Sequence, residues 1–205
     1  MSEKPTITVW SDYVCPWCYV GLTEVEKLRE TWDFAIEWKP YLLRPDTPEE
    51  GLPLPAYIRE KMADPDNPLT ARAKSLGLTI VQREKIPSSR RAHEATEYAR
   101  SKGKIDAFHH AVLERYWSKS EDLHDWSVLK AAATDAGLDG EEMQREVDAG
   151  QWKQPMLAGI EAGAQIGVNA VPTFIVGNKF IIQGAQQGSA FAQAFERLGA
   201  TPRSG

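Results

Sequence analysis

A chain of 205 residues with a formal net charge of −5 is long enough to bury a sizeable core, as one large domain or as one domain that carries an insertion. The acidic balance and the lack of a basic cluster beyond Arg90-Arg91 exclude nucleic acid as an expected partner. No apolar run approaches the length of a membrane span and none precedes the first predicted strand, so we expect no membrane contact and a cytoplasmic location.

The N-terminal part of the sequence predicts a strand, a helix and a second strand. Residues 6–11 are rich in β-prone side chains, and apolar side chains recur at helical intervals within residues 16–31. An alternating pattern that begins at Phe34 predicts a strand to Leu43. Two strands joined by a helix are expected to be parallel, with a right-handed crossover.

The middle of the chain, from Ala56 to Gly167, predicts helices and no strand. Prolines and acidic residues between positions 45 and 55 predict the loop that leads into it. Glycines at positions 103 and 137 are typical helix stops, and Asp125 is a typical helix cap. The clearest helical patterns cover residues 90–102, 105–118, 127–136 and 141–149.

Strand character returns near the C-terminus. Residues 173–176 and 179–182 are β-prone and are separated by Gly177-Asn178, a pair that favours a tight hairpin. A final helix is predicted over residues 188–198. We therefore predict an α/β protein with a mixed four-stranded sheet in the thioredoxin-like order and a large all-helical insertion. Residues 1–48 and 168–200 form the thioredoxin-like domain, residues 49–167 the helical insertion and residues 201–205 a flexible tail.

Both cysteines of the chain lie in one Cys-Pro-Trp-Cys motif, residues 15–18, at the start of the first predicted helix. Backbone N–H groups and the helix dipole at that position favour a thiolate. Cys15 is therefore the expected nucleophile, and Cys18 is expected to attack the mixed disulfide that Cys15 forms. In a reducing compartment such a pair indicates a redox dithiol, which in this chain has no second cysteine pair to re-oxidise it.

Three other interpretations of the motif compete. A zinc site needs two further ligands, and the four histidines (His93, His109, His110 and His124) lack the paired spacing of a zinc finger, so we expect no metal. A structural disulfide would close too small a loop to constrain the unfolded chain. Two inert buried thiols are less expected beside a proline, an aromatic residue and a helix start.

A second candidate element is Pro172, directly before the predicted hairpin. A proline that enters a strand cannot donate to the sheet, so it marks an edge, a strand start or a cis bond. With this proline, the segments 11–21, 167–174 and 183–186 resemble the DsbA family of thioredoxin-fold proteins, and most closely its FrnE-like branch. The branch is related to 2-hydroxychromene-2-carboxylate isomerases and kappa-class glutathione transferases.

The resemblance implies a site made from both ends of the chain. Pro172 is then the cis-proline that lies against the cysteines, and the backbone of Val171 is free to pair with an extended substrate peptide. Trp17, between the cysteines, is expected near the surface, where it contacts a substrate. The implied substrate-binding residues are Pro16, Trp17, Val171, Pro172 and Thr173.

Two departures from the family pattern affect the chemistry. The buried acidic residue that thioredoxin and DsbA have six positions before the first cysteine is replaced by Val9. Asp12 or Glu37 are candidates to take its place, although each is equally well a solvated or capping carboxylate. Trp17 stands where DsbA has a histidine, so we expect a redox potential between those of thioredoxin and DsbA.

Two basic residues are further candidates for tuning the site. Lys39, on the second predicted strand, either points under the cysteines and stabilises the thiolate or is a solvated strand lysine. His93, at the start of a helix in the insertion, either faces the motif or is an ordinary surface histidine.

These features predict a thiol–disulfide oxidoreductase that exchanges a disulfide with a protein or small-thiol substrate, with disulfide isomerase activity as an extension. A glutathione-dependent isomerase or transferase is the first alternative, although those relatives typically carry serine at the position of Cys15. A non-catalytic redox sensor or holdase is the second. The only redox group expected is the disulfide itself, with glutathione as a candidate co-substrate.

Overall fold

The computed structural model describes residues 4–203. Its elements follow one another in an order that begins with strand, helix, strand and ends with a hairpin and a helix. They are β1 (Thr6–Ser11), α1 (Pro16–Lys27), β2 (Ala35–Pro40), β3 (Leu52–Pro53), α2 (Ala56–Ala63), α3 (Pro68–Ser75), β4 (Lys85–Ile86), α4 (Arg90–Ser101), α5 (Ile105–Trp117), α6 (Trp126–Asp135), α7 (Gly140–Asp148), α8 (Lys153–Gln165), β5 (Thr173–Val176), β6 (Phe180–Gln183) and α9 (Gly188–Arg197).

Within residues 4–203, a mixed sheet of four strands runs in the order β2-β1-β5-β6. β1 pairs in parallel with β2 and antiparallel with β5, and β5 pairs antiparallel with β6. β1 is central, and every residue after Thr6 in it is buried. Gly177 and Asn178, which join β5 to β6, have φ angles of 58° and 56°, as a tight hairpin turn requires. The sheet predicted from the sequence is confirmed.

The predicted helices of the middle region are confirmed to within one residue at each end for α4, α5, α6 and α7. α1 is shorter than predicted, because the chain tightens into a 3₁₀ turn over Leu28–Glu30. β2 ends at Pro40 rather than at Leu43. Proline cannot donate to the sheet, and beyond it the Leu43 N–H donates instead to the side chain of Asp12, at 2.7 Å.

The prediction that the middle region contains no strand is wrong at one place. Lys85–Ile86 forms β4, which pairs antiparallel with Leu52–Pro53, the strand β3. A two-residue strand has no periodicity of its own. It forms because the tertiary fold brings the two loops together, and the sequence pattern therefore carries no sign of it.

Helix α8 joins the sheet to the helical region. It lies against β2 and also contacts α4. The Trp10 indole N–H donates to the Gly159 carbonyl at 3.1 Å, and Gly163 leaves room for the same indole. The predicted insertion, residues 49–167, therefore includes α8, a helix that packs on the sheet. The division into two domains stays a prediction.

The core is continuous between the sheet and the helical layer. On one side, Phe174 of β5 packs edge-on against Phe191 of α9, and Phe34 packs against Phe195 of the same helix. On the other, Tyr13 and Trp38 meet residues of α4 and α5. At the C-terminal end the backbone N–H of Arg203 donates to the Thr31 carbonyl at 2.7 Å. This hydrogen bond fixes residue 203 to the turn after α1, although the sequence predicts a flexible tail over residues 201–205. Residues 204 and 205 lie outside the described residues.

Candidate active site

The two cysteines lie at the N-terminus of α1, as the motif predicts. Cys15 is the residue that caps the helix, and Pro16 occupies its first position, where a missing N–H costs nothing. The Cys15 N–H donates to the Asp12 carbonyl at 3.1 Å, and the Cys18 N–H donates to the Cys15 carbonyl at 3.0 Å. Both thiols are free. Cys15 is 5% exposed and Cys18 is 0% exposed, so only the first can meet a substrate.

The surroundings move the two thiol pKa values in opposite directions. The hydrogen bond from the Cys18 thiol is the main cause that lowers the pKa of Cys15, and the backbone N–H groups of Cys18 and Trp17 add to it. Burial raises the pKa of Cys18 well above its usual range, and its hydrogen bond to Cys15 raises it further. The negative charge therefore belongs on Cys15 and the shared proton on Cys18.

The loop before β5 forms the other wall of the site. The Val171–Pro172 peptide bond is cis, and the Cys15 sulfur lies 3.6 Å from the Val171 carbonyl oxygen. Thr173 is buried, and its hydroxyl donates to the Ala170 carbonyl at 2.7 Å, which closes the loop on itself. Trp17 is 37% exposed. The structure thus brings together the motif and the proline loop, which are separated by more than 150 residues.

Asp12 and His93 are buried together behind the cysteines. The side chains are 0% and 3% exposed, and His93 Nε2 lies 3.3 Å from Asp12 Oδ1. The second carboxylate oxygen accepts the Leu43 N–H. The alternatives of a solvated Asp12 and of a surface His93 are therefore wrong, because the α4 helix packs onto the loop that follows β1 and removes both groups from water.

Lys39 and Glu37 form an ion pair on β2. The Lys39 ammonium lies 2.6 Å from Glu37 Oε1, and the Thr8 hydroxyl donates to Glu37 Oε2 at 3.2 Å. The Lys39 side chain is about a quarter exposed, and it lines a small cavity that His93 and His109 also line. Stabilisation of the thiolate by Lys39 stays a prediction.

Sequence reasoning missed His109 as a part of this region. Its ring is buried, stacks on Trp38 with centroids 4.2 Å apart, and lies 4.8 Å from the ring of Tyr13. Its Nε2 is 3.3 Å from the Ser11 hydroxyl. Burial is the main cause that holds the pKa of His109 well below its usual range, so it is neutral at pH 7. The available signal was its place on the apolar face of α5, three and four positions before the buried residues Val112 and Leu113.

An apolar cavity of about 170 Å³ opens beside the motif. Val14 and Pro16 form one wall, and side chains of the helical region form the others, with Arg44, Arg83 and Lys85 among the lining residues. Val14 and Pro16, which line it, are the two chain neighbours of Cys15. The apolar lining residues from the helical region and the adjoining loops are Leu43, Leu54, Ile58, Met62, Ile86, Tyr116 and Trp117.

Between residues 4 and 203, no group of three or more His, Cys, Asp or Glu side chains is arranged to hold a metal ion. Nor does that stretch contain a helix that is both long and apolar enough to cross a membrane.

Comparison with known proteins identifies the family to which this chain belongs. The DSBA-like thioredoxin domain model matches residues 6–196, so the chain belongs to that family, as its motifs indicate. Among curated proteins, the uncharacterized protein YwbO of Bacillus subtilis (strain 168) is 25% identical over 189 residues, which cover 92% of this chain and 94% of the relative.

Solved structures show the same fold. A probable DsbA oxidoreductase from Streptomyces coelicolor has a TM-score of 0.84 at 24% identity, covering 98% of this chain and 93% of its own. A 2-hydroxychromene-2-carboxylate isomerase has a TM-score of 0.74 at 16% identity, with 95% and 96% covered. The cytosolic disulfide reductase DsbM of Pseudomonas aeruginosa, solved with glutathione, has a TM-score of 0.66 at 16% identity, with 95% and 96% covered. At these identities the likeness is one of fold alone.

Proposed function

We propose that this protein is a thiol–disulfide oxidoreductase that exchanges a disulfide between Cys15 and Cys18 and a cysteine-containing polypeptide or small thiol. One observation carries the proposal: a slightly exposed thiol with a lowered pKa and a buried thiol with a raised pKa share one helix N-terminus. That asymmetry assigns separate roles to the two sulfurs. Membership of the DSBA-like thioredoxin domain family supports the same reaction class.

In the reducing direction, the Cys15 thiolate attacks one sulfur of a substrate disulfide. A mixed disulfide forms, and one substrate sulfur leaves as a thiolate. Cys18 then loses its proton and attacks the Cys15 sulfur, which breaks the mixed disulfide and releases the second substrate sulfur. Two electrons pass from the dithiol to the substrate, and the protein is left with a Cys15–Cys18 disulfide. Oxidation of a substrate dithiol, and isomerisation through the same mixed disulfide, use these steps in other orders.

A polypeptide substrate fits the surroundings of Cys15. The Val171 backbone beside the sulfur offers strand-like pairing to an extended chain. The neighbouring cavity of about 170 Å³ offers apolar contact to a side chain next to the substrate cysteine. We expect exposed Trp17 to cover the same substrate segment from the other side.

The cysteines are tested one at a time with a peptide disulfide as substrate and glutathione as reductant. Cys15→Ser should abolish turnover, because the nucleophile is lost. In the absence of glutathione, Cys18→Ser should accumulate the protein–peptide mixed disulfide, which intact mass measurement detects. Full turnover by Cys15→Ser would overturn the proposal.

Redox equilibration in glutathione buffers is a second measurement. Without a histidine between the cysteines, we expect a potential between about −270 mV, typical of thioredoxin, and about −120 mV, typical of DsbA. A two-electron change to the internal disulfide supports exchange chemistry.

A glutathione-dependent isomerase or transferase is the second candidate, and the likeness in fold to 2-hydroxychromene-2-carboxylate isomerase favours it. It predicts saturable, non-covalent binding of glutathione that survives Cys18→Ser. In the exchange reaction, by contrast, glutathione is a thiol partner of the kind with which DsbM was solved. Calorimetric titration of Cys18→Ser with glutathione separates the two.

A further inference from the structure

The apolar cavity beside the redox motif has a basic rim and no acidic side chain. Within residues 4–203, its lining contains Arg44, Arg83 and Lys85 but no aspartate or glutamate. The chain as a whole has a formal net charge of −5, so this local excess of positive charge is not an average property of the surface. Cations around an apolar cavity favour a ligand that combines an apolar group with a negative charge.

Two of these three cations are already held by other parts of the protein. The Arg83 guanidinium donates to the carbonyl oxygens of Tyr116 and Glu121, and its Cζ lies 3.8 Å from the centroid of the Tyr116 ring. The Lys85 ammonium lies 2.6 Å from Asp122 Oδ2. Both side chains are therefore fixed by contacts within the protein.

Arg44 has no such partner. Its side chain is half-buried at the cavity, and among residues 4–203 its guanidinium takes part in no ion pair and no hydrogen bond. Its backbone, in contrast, is fixed: the Leu43 N–H donates to Asp12 Oδ2 at 2.7 Å, and the Thr47 N–H donates to the Arg44 carbonyl at 3.2 Å. A free guanidinium on a fixed backbone is suited to a carboxylate, which it binds through two parallel hydrogen bonds.

The cavity is also close to the reactive cysteine along the chain. Val14 and Pro16, which line it, are the two neighbours of Cys15, and Ile58 and Met62, one turn apart on α2, line it as well. An extended substrate advances about 3.3 Å per residue, and neighbouring Cα atoms of the protein are about 3.8 Å apart. The spacing therefore matches a substrate residue one or two positions from the substrate cysteine.

We propose that the cavity and Arg44 form a subsite that selects polypeptide substrates with a large apolar residue and an acidic residue within two positions of the reactive cysteine. This assignment rests on the proposed exchange reaction and names its substrate class. The apolar side chain fills the cavity, and the substrate carboxylate pairs with the Arg44 guanidinium. Arg44 determines specificity only, since the sulfur exchange itself proceeds through Cys15 and Cys18.

The test measures how fast the reduced protein reduces peptide disulfides of four compositions. Next to its cysteine each peptide carries Phe-Glu, Phe-Gln, Ala-Glu or Ala-Gln, and each cysteine is linked to 2-mercaptoethanol. One series places the pair before the cysteine and a second series places it after. Mass spectrometry of acid-quenched samples gives the second-order rate constants. Bis(2-hydroxyethyl) disulfide, which is small and neutral, reports exchange that does not use the subsite.

In at least one series, we expect the unaltered protein to reduce the Phe-Glu peptide fastest. Replacing Glu by Gln in that peptide should slow the reaction about 5-fold, because a charge-assisted pair is lost. Replacing Phe by Ala should slow it about 10-fold, because less apolar surface is buried.

The variants separate the two halves of the subsite. Arg44→Gln should abolish the preference for Glu while the preference for Phe remains, and Arg44→Lys, which keeps the charge without the planar fork, should retain part of it. Met62→Gln, which puts an amide on the cavity wall, should reduce the preference for Phe. Arg59→Gln is the matched control, because it removes the same charge from an exposed position of α2 outside the lining. It should change neither preference.

Indistinguishable rates for the Phe-Glu and Phe-Gln peptides in both series overturn the proposal. So does a preference for Glu that Arg44→Gln retains, since another group then recognises the charge. All variants should reduce bis(2-hydroxyethyl) disulfide as fast as the unaltered protein; a slow Arg44→Gln there means that Arg44 acts on the fold or on the thiols, which also contradicts the proposal. Failure of the exchange reaction has a different signature, because the unaltered protein would then reduce none of the disulfides.

Discussion

At the scale of single residues, the reactivity of Cys15 depends on what donates hydrogen bonds to its sulfur. The Cys18 thiol is the largest of these influences and the helix N–H groups of Trp17 and Cys18 are smaller ones. Trp17, between the cysteines, lowers the pKa of Cys15 only through its backbone N–H. The lowered pKa of Cys15 therefore follows from helix geometry and from the second cysteine.

This dependence predicts that Cys18→Ala raises the pKa of Cys15, because the variant loses the thiol donor that stabilises the thiolate. Cys18→Ser is the matched control, since its hydroxyl can still donate, and the increase should be smaller. Iodoacetamide alkylation rates of Cys15 measured against pH give the midpoint directly, with the alanine variant titrating at the higher pH. Equal midpoints in the two variants would show that the Cys18 donor is unimportant.

At the scale of elements, the site depends on how α8 packs behind β1 and β2. Two glycines four positions apart, Gly159 and Gly163, face the sheet. A Cβ at Gly159 would lie 2.6 Å from the Pro40 Cδ, and one at Gly163 would lie 2.8 Å from the Trp10 Cδ1. These contacts set the distance between α8 and the strand that leads to Asp12 and Cys15.

Gly163→Ala should therefore destabilise the protein by about 1–2 kcal/mol, because overlap with the Trp10 indole outweighs the better helix propensity of alanine. Helix propensity alone would predict that the alanine variant is more stable. Ala164→Gly, at the exposed neighbouring position, is the control and should cost up to about 1 kcal/mol through propensity only. Urea unfolding of both variants measures these changes, and a more stable Gly163→Ala would contradict the packing argument.

At the scale of the whole molecule, the buried histidine of α5 links stability to pH. The folded pKa of His109 is depressed by burial, whereas in the unfolded chain it is about 6.5. Below pH 6.5 the unfolded state therefore binds a proton that the folded state does not, and stability falls as the pH falls. This one group accounts for up to about 1.4 kcal/mol per pH unit in that range.

We predict that His109→Gln flattens the loss of unfolding free energy between pH 6.5 and pH 5, since glutamine binds no proton in either state. His110→Gln provides the comparison, because His110 is half-exposed and adjacent in the sequence. Chemical denaturation at several pH values gives the slopes. If His109→Gln loses stability with acid as steeply as the unaltered protein, the buried ring is not the origin of the slope.

The sequence by itself determined the order of elements, the mixed sheet and the pairing of the two cysteines at a helix start, because these depend on local periodicity, turn residues and a four-residue spacing. The hairpin turn at Gly177-Asn178 and the helix ends at Gly103 and Gly137 belong to the same local class. The family resemblance added the proline loop, which no spacing within the chain would have joined to Cys15.

Only the tertiary structure decided what surrounds the thiols. His93 lies 81 positions from Asp12, and His109 lies 98 positions from Ser11, so neither pairing leaves a local pattern. Burial of a polar side chain depends on which helix packs over it, and α4 and α5 cover the loop after β1 from a distant part of the chain. For the same reason, the short strand at Lys85–Ile86 and the packing of α8 on Trp10 emerge only when the chain has folded.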